Sequence, residues 1–135
     1  MIEEKQFAGV RIYIRGTNLD PDLVSKVLNL KPSTSQTKGG LKPNSQRFIA
    51  KIGMWSLASK GKTFPILEQV DDLLSQLEGS TVRLDEIDGV EDACLDIFLP
   101  LSDDGKIDKT FEFALTRNQI KRLSKLGLSA DFTIS

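Results

Sequence analysis

A chain of 135 residues, 39% hydrophobic and 27% charged, is long enough for one self-sufficient core and has neither the composition of a disordered nor that of a fibrous protein. It contains no histidine and a single cysteine, Cys94, so imidazole-dependent nucleophilic catalysis, an internal disulfide and a structural zinc site of about four Cys or His ligands are excluded on residue supply. The net charge is only −1, but residues 23–67 hold eight bases and no acid, while residues 68–108 hold thirteen acids against Arg83 and Lys106.

In chain order, residues 1–6 are acidic and lack the apolar region of a secretory signal, and no apolar run approaches the roughly 18 residues of a membrane span, so a cytoplasmic protein is expected. Residues 8–14 alternate, with Ala8, Val10, Ile12 and Ile14 on one side and Gly9, Arg11 and Tyr13 on the other. A period of two predicts a half-buried strand. Asp20 offers an N-cap to a helix that begins at Pro21, carries Leu23, Val24, Val27 and Leu28 on one face and ends near Leu30. Residues 31–46, with two prolines and Gly39-Gly40, have no periodicity and are expected to form a long loop.

Two strands are predicted at 47–52 and 54–59, meeting at Gly53, with Trp55 and Leu57 on one face of the second and Met54, Ser56 and Ala58 on the other. The strongest helix follows. Pro65 lies in its first turn, Ile66, Leu67, Val70, Leu73, Leu74 and Leu77 form its apolar stripe, and Gly79 is expected to end it. Residues 80–88 suit either a short helix or a strand. Strands are expected at 93–99 and 110–115, separated by a turn at Asp103-Asp104-Gly105. Thr116 and Gln119 have the spacing of a capping box for a last helix, Gly127 is its C-cap, and Ala130, Phe132 and Ile134 mark a closing strand.

The order β-α-β-β-α-β followed by β-α-β predicts an α+β fold: an antiparallel or mixed sheet with helices on one face, a ferredoxin-like core and a C-terminal βαβ unit, all in one domain.

Motifs that could carry chemistry are sparse. Gly61-Lys62-Thr63 resembles the end of a phosphate-binding loop, but the earlier glycine is replaced by Ser56. Ser35-x-x-Lys38 and Ser59-x-x-Lys62 have the spacing of some acyl enzymes, yet twelve serines and twelve lysines produce about one such match by chance. The acidic clusters at 71–72, 85–88, 91–92 and 103–104 lack the alternating ligands of a calcium loop and read as a solvated face. No metal or cofactor is implied. A lone tryptophan at strand spacing more often belongs to a core, but if Trp55 lined a groove with Arg47, Lys51 and Lys60 it would offer a stacking surface beside positive charge.

Several stretches together resemble the bacterial domain-of-unknown-function 4279 family: Ile12-Tyr13-Ile14-Arg15-Gly16, Leu19-Asp20-Pro21, Leu28-Asn29-Leu30-Lys31-Pro32, Gly53-Met54-Trp55-Ser56-Leu57-Ala58-Ser59 and Leu126-Gly127-Leu128-Ser129-Ala130-Asp131-Phe132. The resemblance implies a small bacterial protein, with partner-binding or immunity roles as candidates, and carries no catalytic residues with it.

The leading expectation is a non-enzymatic binding domain whose acid-free region engages an acidic protein partner or an anionic ligand, through Lys38, Arg47, Lys51, Trp55, Ser56, Ser59, Lys60 and Lys62. Nucleotide or single-stranded nucleic-acid binding is the alternative, and the pI near 5.5 argues against extended nucleic acid. Carboxylate or lysine enzymology is a further one. The charge asymmetry would also permit self-association, basic half to acidic half.

Overall fold

The structure is a computed structural model that describes residues 8–41, 48–60, 64–100 and 114–134. The alternating residues at the start form β1 (Gly9–Gly16), in which Val10, Ile12 and Ile14 are buried while Arg11, Tyr13 and Arg15 look the other way, half-buried. The side chain of Asp20 accepts the backbone N–H of Asp22 and opens α1 (Pro21–Leu28), which ends where Asn29 takes the left-handed conformation, φ 54°.

Within the segment expected to be loop lies a short strand, β2 (Thr34–Gln36), paired antiparallel to β3 (Gly53–Ala58). Three residues are too few to show a period, so nothing in the sequence set β2 apart. The strand expected at 47–52 is corrected: among the described residues of that stretch, Ile49 makes a single bridge to Leu41, and the chain otherwise runs irregularly. Its alternation does not produce a buried face, because Phe48 is exposed and only Ala50 is buried. Gly53 lies against the Leu19 carbonyl, where a Cβ would collide with backbone. A side chain there would push β3 away from the turn before α1.

Helix α2 (Ile66–Leu77) starts from Pro65 and buries Ile66, Val70, Leu73, Leu74 and Leu77 of the expected stripe, while Leu67 is only half-buried. Its C-cap is Glu78, one residue before the expected Gly79. The ambiguous segment resolves as a short 3-10 turn, Leu84–Glu86, with Leu84 in the core. Strand β4 (Asp92–Leu99) follows. Most of the strand expected at 110–115 lies outside the described residues, and residues 114–116 are not in a strand. Thr116 and Gln119 form the reciprocal capping box of α3 (Arg117–Leu126), Gly127 closes that helix with φ 74°, and β5 (Ser129–Ile134) follows.

Among the described residues the fold is therefore mixed α+β, with three helices and a five-stranded sheet in the order β2-β3-β1-β4-β5. All neighbours are antiparallel except β4 and β5, which are parallel. Val24 of α1, Val70, Leu73, Leu74 and Leu77 of α2 and Leu123 and Leu126 of α3 share one core with Ile12, Ile14, Trp55, Leu57, Leu95 and Ile97 of the sheet. β2 and β3 from the acid-free segment lie on one side of β1 and β4 from the acidic segment lies on the other, but β2 and β3 themselves carry no charged residue. No helix among the described residues is long and apolar enough to cross a membrane.

Candidate functional site

The sheet face opposite the core is where strand alternation collects polar side chains. On β1 it presents Arg11, Tyr13 and Arg15, and register sets Ala58 and Asp96 beside Arg11, Ser56 and Cys94 beside Tyr13, and Met54 and Asp92 beside Arg15. Gly9 pairs with Phe98, and β5 adds Asp131 beside Asp96 and Thr133 beside Phe98. A groove of about 1030 Å3 runs over this face, lined by residues that include Gly9, Arg11, Tyr13, Phe98 and Asp131.

The two arginines differ in how their charge is used. Arg15 is committed: its guanidinium carbon lies 4.5 Å from the Tyr13 ring centroid, and its Nη1 is 3.1 Å from a carboxylate oxygen of Asp92. Arg11 donates to the Oγ of Ser56 at 3.0 Å and lies 6.0 Å from the same ring. Ser56, itself buried, shares a 2.7 Å hydrogen bond with Thr34. Among the described residues Arg11 has no ion pair, although Asp96 is its cross-strand partner. Asp96 turns to β5 instead and accepts from the Thr133 hydroxyl at 2.7 Å. Arg11 and Asp96 are thereby each bound to a hydroxyl rather than to one another.

Burial, followed by the hydrogen bond and charge of Asp131, pushes the Cys94 thiol up to about 12, so it stays protonated at neutral pH and is no nucleophile. Among the described residues no group of three or more Cys, Asp or Glu side chains is arranged to hold a metal ion.

The residues expected from sequence to form the site are dispersed. Trp55 is fully buried, and its Nε1 donates to the Ser25 hydroxyl of α1 at 3.0 Å. It therefore cannot stack a ligand, because alternation along β3 puts Trp55 on the helix side and Ser56 on the groove side. Lys38, Lys51 and Lys60 are exposed, and Arg47 and Lys62 lie outside the described residues, as does the Gly61-Lys62-Thr63 motif. One of the expected residues, Ser59, lines the groove, and Ser56, fully buried, meets it only through the hydrogen bond from Arg11. Arg11, Arg15, Asp96, Phe98 and Asp131 were not singled out by sequence, although the alternation of residues 8–14 already set Arg11 and Tyr13 on the outward face.

The family model described as "Domain of unknown function (DUF4279)" matches residues 5–135, nearly the whole chain. The chain belongs to the DUF4279 family. No curated protein and no solved structure matches it. The site of this DUF4279 chain accordingly has to be read from its own geometry.

Proposed function

We propose that this protein is a non-enzymatic binding domain that takes an anionic ligand in the groove on the open face of its sheet. One observation carries the reading: Arg11 projects into the groove with a neutral hydroxyl as its described partner, so an incoming anion gains a charge-assisted hydrogen bond without displacing a carboxylate. Arg15, stacked on Tyr13 and ion-paired with Asp92, contributes a charge that a carboxylate already offsets. The test is an NMR titration of the 15N-labelled chain with inorganic phosphate. Saturable shifts centred on Arg11, Ser56 and Ala58, lost in Arg11→Gln, support the reading, and shifts that persist in that variant overturn it.

A second reading rests on a different surface. Leu41, Phe48 and Ile49 are exposed at 57%, 65% and 61% on the acid-free segment, with the exposed Lys38 and Lys51 on either side in sequence. Apolar side chains among lysines suit an acidic protein partner, of which an immunity-like role is the biological form. Charge reversal at Lys38 and Lys51 abolishes co-purification of such a partner if this surface is used and leaves it intact otherwise.

For the architecture we infer a ferredoxin-like core over β1 to β4, extended by α3 and β5. Its support is the order β2-β3-β1-β4 with antiparallel neighbours throughout. A cytoplasmic setting accords with the lone, buried thiol of Cys94.

A further inference from the structure

Arg11 and Asp96 stand directly opposite each other on β1 and β4, yet among the described residues neither makes an ion pair. Opposite charges at such positions ordinarily attract across the strands. Here Arg11 leans toward β3, where its Nη1 donates to the Ser56 Oγ at 3.0 Å, and Asp96 leans toward β5, where it accepts from the Thr133 hydroxyl at 2.7 Å. The Ser56 end is the more firmly built. Ser56 is fully buried, and its hydroxyl is 2.7 Å from that of Thr34, its register partner on β2. Bonds on both sides of Thr34 fix β2 at that point: the Ser33 N–H donates to the Ser56 carbonyl at 2.7 Å, the Ser33 hydroxyl accepts the Ala58 N–H at 2.9 Å, and the Gln36 side chain donates to the Ile52 carbonyl at 3.1 Å. A serine oxygen that accepts from a guanidinium is strengthened when its own proton goes to a further acceptor, and Thr34 is placed to supply one. A part-buried hydrogen bond from a charged donor outweighs a solvent-screened ion pair, which is why Arg11 stays with Ser56.

Resting on the reading of the groove as an anion site, we propose that Ser56, with Thr34 behind it, is the positioning device that keeps this site open: the two hydroxyls hold the Arg11 guanidinium on the β3 side of the sheet, away from Asp96. Without them the guanidinium crosses β1 to its cross-strand carboxylate, and the donors that an anion needs are spent inside the protein. The site therefore has an open arrangement, Arg11 on Ser56, and a closed one, Arg11 on Asp96. Anion affinity scales with the fraction that is open. Neither hydroxyl has to touch the ligand, since Ser56 is buried and Thr34 stands one strand further out. The three residues of β2 thereby bear on a groove that they do not line.

The probe is inorganic phosphate, titrated by NMR into the full chain, Ser56→Ala, Asp96→Asn and the double variant. A cross-strand ion pair competes by a factor of roughly two to five, so Ser56→Ala is expected to weaken phosphate by about that factor. Removing a nearby negative charge helps any anion, so Asp96→Asn alone tightens binding somewhat. The deciding comparison is the gain from Asp96→Asn in the two backgrounds. It is expected to be larger in Ser56→Ala, where the carboxylate holds Arg11, and equal gains in both backgrounds overturn the positioning role. Thr34→Val gives the same comparison if Ser56→Ala does not fold, and Thr34→Ser, which keeps the hydroxyl, restores native affinity. The position of Arg11 is also read with no ligand present, from nuclear Overhauser contacts of its side chain. These are expected with the Thr34 methyl in the native chain and with the Thr133 methyl in Ser56→Ala. Contacts that stay with Thr34 in the variant overturn the inference whether or not phosphate binds. Contacts that move, in a chain whose native form binds no phosphate through Arg11, overturn the anion reading and leave the positioning of Arg11 supported.

Discussion

Gln69 of α2 and Val10 of β1 are joined by a buried hydrogen bond, in which the Gln69 side-chain carbonyl accepts the Val10 backbone N–H at 3.2 Å. The same side chain donates to the carbonyls of Ala8, at 3.1 Å, and Phe64, at 2.8 Å, while only 1% exposed. One amide therefore completes the backbone hydrogen bonding where β1 enters the sheet and ties that entry to α2. Gln69→Leu keeps the approximate volume but strands these partners in the core, and a loss of about 2–4 kcal/mol is expected from buried groups left unsatisfied. Urea unfolding measures it, and a loss below about 1 kcal/mol would show that the amide is dispensable.

Trp55 is the chain's one tryptophan, so its fluorescence reports a single environment. Full burial against α1 predicts blue-shifted emission, weak quenching by acrylamide and no change on adding a nucleotide, since the indole faces away from the groove. Trp55→Phe removes the bond to Ser25 and some volume, with an expected cost of about 2–3 kcal/mol. Red-shifted, readily quenched emission in the native protein would contradict this placement.

Local signals reached the elements whose determinants are local. The Thr116 and Gln119 capping box, the Gly127 C-cap, the α2 stripe and the outward set on β1 all depend on spacings within one element, and each is present. The strand β2 was hidden because its three residues are defined by pairing with β3 rather than by their own pattern. The stretch 47–52 misled for the converse reason: among the described residues its alternation meets a single bridge, Leu41 to Ile49, and no neighbouring strand. The groove could not be read locally at all. It joins Arg11, Phe98 and Asp131, which lie far apart in sequence and meet through β1-β4-β5 adjacency, whereas sequence reasoning ranked positions by the charge of contiguous segments. Alternation alone places Trp55 and Ser56 on opposite faces of their strand; which face meets the helices is a tertiary fact.

Cys94 is 1% exposed beneath the groove, and its thiol is pushed up to about 12, first by burial and then by Asp131. A thiol reagent at pH 8 is therefore expected to leave the folded protein unmodified and to react fully once denaturant is added. Because the folded value exceeds the ordinary 9.0, the stability linked to this group is complete below pH 9.0 and is lost as pH rises toward about 12. Asp131→Asn removes the secondary cause and narrows that window from above. Rapid labelling of the native chain at pH 8 would refute the burial of the thiol.

Arg122 of α3 grips α2 through Glu78, with donor distances of 2.6 to 3.1 Å, and through Asp71 at 2.9 Å. The hydrogen bonds from Arg122 are the main reason that the Glu78 carboxyl titrates below its ordinary 4.5. A depressed folded value means that the pair's contribution is present above pH 4.5 and is lost as pH falls through the folded value. Glu78 is 38% exposed, so solvent screens the pair and the effect is modest. Arg122→Gln is expected to lower the melting temperature at pH 7 and to flatten its decline below pH 4.5, because the variant has already lost what acid would remove. Arg122→Lys restores only part of the pH 7 stability, since an ammonium cannot reproduce the fork that engages Glu78 and Asp71 together. Melting curves of the three proteins between pH 7 and 3 decide the matter. Parallel acid declines in all three would assign the acid sensitivity to other carboxylates.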